Sequence, residues 1–304
     1  SLPAPTEENR DYIQDLANTI EVAESEREHW NIWFKKWIVA VVACGIDDAA
    51  VNQTTLVLVG PQGAGKTSWL LKLVPPRLSK YCFTGTINPG NKDSEIQLAE
   101  NLLINLDELA NLGHKNLNSL KEIITKSFVK IRRPYATYVE QMPRRVSFMG
   151  SVNDSEFLKD ETGNRRFLCF EALSIDFRHS INLDLVYAQA LGLYNGGFRY
   201  WFQDEEIDEI NRHNEKYKSI SLEQEVLESL FEPCFGSTEP EFRFQTGELL
   251  NYIFTHSVIG QKLSARGLGI ALKRMNWSKK KVNGIRYWLL KRKQVEQGEQ
   301  LQAA

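Results

Sequence analysis

The chain has 304 residues, 42% hydrophobic and 25% charged, with a formal net charge of −2. This is ordinary soluble globular composition, long enough for a large α/β core and a smaller second unit. The longest apolar run, Trp37 to Ile46, is far too short to span a membrane, and the acidic, polar N-terminal stretch has no signal-peptide core. Cys44, Cys82, Cys169 and Cys234 are widely separated, without C-x-x-C or metal-ligand spacing, so free thiols in a reducing cytoplasm are expected.

Residues 7–50 read as helical. Asn9 to Glu28 is charge-rich with Tyr12, Leu16 and Ile20 on one stripe, and His29 to Cys44 carries Trp30, Trp33, Phe34 and Trp37 at helical spacing. Aromatics dominate buried area, so the stripe is expected to pack a small helical subdomain against the core, with subunit contacts as the other use.

Residues 56–73 combine an apolar strand (Leu56 to Val59), a glycine-rich turn and a helix opening at Lys66. The turn, Gly60, Pro61, Gln62, Gly63, Ala64, Gly65, Lys66 and Thr67, matches G-x-x-x-x-G-K-[ST] at every fixed position, and Ser68 follows it. Small residues let successive backbone N–H groups face a phosphate at the positive end of a helix. Lys66 then reaches the β- and γ-phosphates and the Thr67 hydroxyl suits Mg²⁺. A nucleoside triphosphate is the expected ligand.

A second strand is expected at Lys80 to Phe83 and a helix at Lys92 to Glu100. The apolar strand from Asn101 then ends in Asp107 and Glu108. In a parallel sheet the carboxyl ends of strands face the ligand crevice. There Asp107 suits Mg²⁺ and Glu108 suits a general base acting on water. After a helix at 116–127, Phe128 to Val139 reads as two short strands around a basic tip with Lys130, Arg132, Arg133 and Tyr135; on composition alone this is a solvated charged hairpin, and the same residues suit phosphate contacts and base stacking. Another buried strand, Val146 onward, ends in Asn153, which suits a helix N-cap or turn or, at the ligand edge of a central strand, a bond to the attacking water or γ-phosphate. Arg165 and Arg166 precede the last core strand, Phe167 to Phe170, as surface cations or as an arginine finger.

Taken in order, GPQGAGKT, LLINLDEL, VKIRRPYATYVEQMPRR, FMGSVN and TGNRRF resemble the virulence-associated protein E family between about Trp37 and Phe170. That phage- and island-borne family is related to the superfamily 3 helicases within the AAA+ ATPases. The resemblance implies a P-loop core in which Lys66 and Thr67 are the Walker A residues, Asp107 and Glu108 the Walker B pair, and Asn153 sensor 1. It also implies that stretch 128–139 is a DNA-gripping hairpin and that Arg165 or Arg166 acts on a neighbouring subunit's ATP in a ring, hexameric by expectation. Relatives often carry an upstream primase-like region, and the chain begins at Ser1 rather than Met, so a piece of a longer protein is expected.

Residues 181–235 read as helices: Leu183 to Tyr194, Asp204 to Tyr217 and Leu222 to Phe231. Residues 236–304 read as a compact basic domain of helices and a hairpin turning at Asn283-Gly284, the pattern of a winged helix. Between Glu248 and Glu296 it holds no acid, and Lys279, Lys280 and Lys281 head its basic face, which favours nucleic acid. The expected organisation is thus 1–50 helical, 51–180 P-loop ATPase, 181–235 helical and 236–304 winged-helix-like. The expected activity is a Mg²⁺-dependent ATPase acting on single-stranded or forked DNA. A DNA-binding regulatory module that uses ATP as a switch, and a P-loop small-molecule kinase, stand as alternatives.

Overall fold

Thr55-Leu-Val-Leu-Val59 is apolar at every position but its first, lies between polar turns and is too short for a buried helix, so it forms a strand with all five residues buried. In the computed structural model, which describes residues 10–88, 91–106, 109, 114–131, 137–158, 163–234, 240–256 and 263–293, this strand is an interior strand of the first of two units, Ser1–Ser219 and Ile220–Ala304.

The first unit begins with α1 (Tyr12–Ala17), β1 (Ile20–Glu21) and α2 (Arg27–Ile46), followed by β2 (Thr55–Val59) and α3 (Lys66–Lys72). Then come β3 (Cys82–Gly85), α4 (Lys92–Glu100), β4 (Leu103–Leu106) and α5 (His114–Thr125). A hairpin, β5 (Phe128–Ile131) and β6 (Glu140–Pro143), precedes β7 (Ser147–Val152), β8 (Phe167–Glu171) and β9 (Ser174–Ile175). Helices α6 (Leu183–Asn195) and α7 (Asp204–His213) complete the unit.

Five strands form one parallel sheet in the order β3-β4-β7-β2-β8. Such a sheet is covered on both faces, which is why its strands read as continuous apolar runs rather than alternating ones. Period-two geometry then sorts β2: Leu56 and Leu58 join the core built with Trp30, Trp37 and Trp69, while Val57 and Val59 join Leu98, Leu120 and Ile124 on the other face.

The aromatic stripe of α2 lies in the first of these cores. Trp30 stacks on Phe34 at 5.0 Å and meets Phe170 of β8 edge-on at 5.1 Å. Trp30 Nε1 donates to the Ala17 carbonyl at 2.9 Å, and Trp69 Nε1 donates to the Thr19 hydroxyl at 2.7 Å. The N-terminal helices therefore share one core with the sheet. The helix expected over 9–28 ends at Ala17, because the Thr19 hydroxyl bonds back to the Leu16 carbonyl at 2.7 Å and Ile20–Glu21 pairs with β9. Likewise the second sheet strand starts at Cys82 rather than Lys80, since a 3₁₀ turn from Pro76 runs through Tyr81. Strand β8 is the sheet edge, and α7 with the turn after it closes that edge: His213 Nε2 lies 2.6 Å from the Cys169 carbonyl, and Asn214 Nδ2 donates to the Phe167 carbonyl at 2.8 Å.

At the foot of the β5–β6 hairpin, Arg144 is only 1% exposed, and its guanidinium donates to four backbone carbonyls, those of Lys126, Val146, Asn52 and Ile124. Burial pushes its pKa down to about 10, which still leaves it protonated at neutral pH. Each stranded buried acceptor costs ~1–3 kcal/mol. Arg144→Ala is therefore expected to lower unfolding free energy by roughly 3 kcal/mol or more, read from the urea midpoint; a change below about 1 kcal/mol would contradict the strut role.

The second unit holds α8 (Leu222–Leu230), β10 (Phe231–Pro233), β11 (Phe242–Phe244), α9 (Thr246–His256), α10 (Ala265–Arg274), β12 (Lys279–Val282) and β13 (Ile285–Arg292). Strand β13 is central and pairs antiparallel with β10, β11 and β12. Asn283 and Gly284 take φ of +50° and +83° in the turn before it, as a two-residue hairpin requires. The division falls at Ser219, earlier than the expected start of the basic domain at 236. The reason is that Val226 and Leu227 of α8 and Phe231 of β10 pack with Leu249, Leu268 and Trp288. Phe231–Pro233, expected as a helix end and turn, is a strand on β13. Among the described residues no helix is long and apolar enough to cross a membrane.

Candidate phosphate-binding site

Strand β2 delivers the glycine-rich loop to the carboxyl edge of the sheet. Val59 is level with Val152 of β7, so the residues that follow them, Gly60 and Asn153, emerge side by side; Gly60 N donates to the Val152 carbonyl at 3.2 Å. Gly63 and Gly65 take φ of +83° and +87°, the left-handed region that side chains avoid. At Gly65 a β-carbon would also sit 2.4 Å from Phe177 Cδ1, so the turn is closed to any larger residue.

Lys66 opens α3 and is 5% exposed. Its ammonium donates to the Gly60 carbonyl at 2.7 Å, the Pro61 carbonyl at 2.7 Å and Asn153 Oδ1 at 3.1 Å. All the N–H groups of an ammonium are thereby used. Burial holds the Lys66 pKa below its ordinary value. Beside it, the exposed Thr67 hydroxyl lies 3.1 Å from the Ser151 hydroxyl of β7. Gly60, Pro61, Gln62, Gly63, Ala64 and Gly65 thus form the turn and Lys66, Thr67 and Ser68 the start of α3, joined by Asn153 and by Ser151. Ser151 carries no role of its own in the FMGSVN stretch; its mark in the sequence is a hydroxyl two positions before Asn153 in a largely apolar strand.

Strand β4 reaches the same edge and ends at Leu106; Asp107 and Glu108 lie outside the described residues. Among the described residues no three or more His, Cys, Asp or Glu side chains gather as a metal site. Mg²⁺ keeps most of its waters and takes only one or two protein oxygens, so the Thr67 hydroxyl is a fitting donor.

Arg165 and Arg166 stand apart from this group. They form a 3₁₀ turn with Asn164 just before β8, hence at the amino edge of the sheet. Five residues of strand at ~3.3 Å each put them about 16 Å along the sheet from the loop. The turn is rigidly held: Asn214 Nδ2 donates to the Asn164 carbonyl at 2.9 Å, and Lys121 Nζ to Asn164 Oδ1 at 3.2 Å. Arg165 is exposed and Arg166 half-buried. Burial, then the charge of Arg165, lowers the Arg166 pKa.

On the hairpin, Lys130 is exposed opposite Gln141. Arg132, Arg133 and Tyr135 lie outside the described residues. Tyr138 and Val139, just past them, are 81% and 60% exposed. In the second unit Lys279, Lys280 and Lys281 are all exposed on β12.

Residues 5–219 match the model of the virulence-associated protein E-like domain. The chain belongs to that family. The VapE-like match ends where the first unit ends, and it is wider than the Trp37–Phe170 stretch that carries the motifs. No curated protein matches the chain. Solved structures similar to this VapE-like chain include the A-form apo structure of the NrS-1 C-terminal region (305–718), at 15% identity and TM-score 0.44 over 74% of this chain and 54% of that one. A second A-form apo structure of that region gives 18% identity and TM-score 0.42 over 74% and 55%. Another apo structure of the region gives 13% and 0.44 over 94% and 76%. The chain thus spans about half the length of the first two.

Proposed function

We propose that this chain is a P-loop, AAA+-type ATPase whose hydrolysis drives remodelling or unwinding of single-stranded or forked DNA during replication of a phage or mobile element, in the cytoplasm. The observation that carries the reading is the meeting of Lys66 and Asn153 at the carboxyl edge of the sheet, where the neighbouring interior strands β2 and β7 end. That is where a parallel α/β sheet binds its ligand.

In this reading the amides of residues 60–68 hold the β-phosphate and Lys66 turns from its carbonyls to the phosphate oxygens. Asn153 orients the attacking water and Glu108 takes its proton. Thr67 and Asp107 would hold Mg²⁺, which would supply positive charge against the phosphate oxygens. The arginine pair cannot serve the same chain's loop from the opposite sheet edge, so Arg165 or Arg166 reaches the loop of a neighbouring copy. That requires a homo-oligomer, with a hexameric ring as the closed form. Lys130, Arg132, Arg133 and Tyr135 of the hairpin, and Lys279, Lys280 and Lys281 on a winged-helix-like second unit, then contact the DNA backbone and bases.

The test is phosphate release with and without single-stranded or forked DNA. The motor reading expects DNA to stimulate turnover. Tight ATP and DNA binding with turnover indifferent to DNA would replace it by a regulatory switch, and phosphate appearing on a small acceptor would replace it by a kinase. Changing Lys279, Lys280 and Lys281 together to Ala is expected to weaken DNA binding and flatten the slope of log Kd against log salt by about 2. An unaltered slope would remove those lysines from the interface.

A further inference from the structure

Phe177 belongs to no motif, yet it touches the most constrained residue of the phosphate loop. Its ring lies so close to Gly65 that a β-carbon there would approach Cδ1 to 2.4 Å, Cγ to 3.0 Å and Cε1 to 3.1 Å. The chain arrives at this place because β8 runs parallel to β2 and emerges at the same edge of the sheet.

The turn that carries Phe177 is fixed from several sides. Asp176 N donates to the Thr19 carbonyl at 2.8 Å, Arg178 N to Asp176 Oδ1 at 3.0 Å, and His179 N to the Asp176 carbonyl at 3.3 Å. From the phosphate-loop helix, Lys72 Nζ donates to the carbonyls of Phe177, at 3.4 Å, and His179. The backbone that carries the Phe177 ring is thereby tied to the same helix that opens with Lys66. Part of the ring packs on the main core, but it stays half-buried. The exposed Arg178 guanidinium lies 5.5 Å from the ring centroid and marks the side where a planar cationic or aromatic group is accepted.

We infer that Phe177 is the base-stacking residue of the nucleotide site: its ring receives the nucleobase of the nucleotide whose phosphates occupy residues 60–68. This rests on the triphosphate reading of that loop. A ring on a fixed backbone and in contact with the core loses less freedom when a base lands on it than one on a loose loop. Stacking accepts any base, because every base has a π-face, so Phe177 provides affinity for nucleotides over bare polyphosphate rather than choice among bases. Arg178 swings aside or closes over the base from solvent.

The test compares Mg·ATP with Mg·tripolyphosphate, which has the phosphates and no base, by titration calorimetry on the wild type, Phe177→Ala and Phe177→Leu. Leu keeps an apolar contact on Gly65 without a π-face, so it separates stacking from support of the loop. Both variants are expected to bind ATP roughly tenfold more weakly and tripolyphosphate as the wild type does. Parallel loss of both ligands in both variants would make Phe177 a prop for the loop, and unchanged ATP binding would remove it from the site; either outcome overturns the inference. A wild type that binds neither ligand would overturn the triphosphate reading itself, and this inference with it.

Discussion

Lys66→Ala is expected to reduce ATP turnover by roughly 10²–10³-fold, the range for removing one preorganised charge stabiliser. The ammonium is nearly buried and bonded to two carbonyls and Asn153. Exchange of carbonyls for phosphate oxygens is favourable, since the anionic oxygens add attraction between opposite charges that neutral carbonyls lack. The same contacts hold the ammonium about where a triphosphate needs it, so little reorganisation is left for the reaction. Phosphate release in excess Mg·ATP is the readout. Stability should fall by roughly 1–3 kcal/mol, because the buried Gly60 carbonyl loses its donor while Pro61 is exposed, so a melting curve separates lost chemistry from lost fold. Turnover within about threefold of wild type would contradict the role, being far below the effect of such a group.

Arg165→Ala combined with Arg166→Ala is expected to lower turnover by on the order of 10³-fold or more, with ATP binding retained, as for an arginine finger supplied by another subunit. The two-edge geometry dictates the second half of that statement. A group about 16 Å from the loop within its own chain adds nothing to ground-state binding in an isolated copy. Arg165 is exposed, and the turn around it is anchored by Asn214 and Lys121 rather than by either arginine. The double variant should therefore fold normally. Loss of ATP affinity in parallel with turnover would indicate a site within one chain.

What could be read from residues alone was whatever has a short-range signature. The parallel strands announced themselves because both of their faces are buried, and the loop of residues 60–67 because its φ angles demand glycine at fixed spacing. Asn153 was legible from its place at the end of an apolar run, though its bond to Lys66 depends on β7 being the neighbour of β2. Contacts made across the chain left no mark. Arg144 reads as one more surface cation, yet it is 1% exposed and ties together segments up to 92 residues apart. Phe177 and Gly65 meet only because β8 and β2 are adjacent. The two-residue pair β1–β9 is too short for any period to show. Phe231 continues an apolar helical stripe in the sequence, whereas pairing with Arg292 in β13 decides its state.

The central claim is that one hydrolysis site draws on two copies of the chain. It is tested most directly by mixing Lys66→Ala with the Arg165→Ala/Arg166→Ala variant, each inactive alone, and measuring phosphate release. In a mixed assembly an intact loop from one variant faces intact arginines from the other. Activity should therefore reappear on mixing and peak near equal proportions. Mixtures as inactive as either variant alone, under conditions where the copies are shown to co-assemble, would contradict the claim.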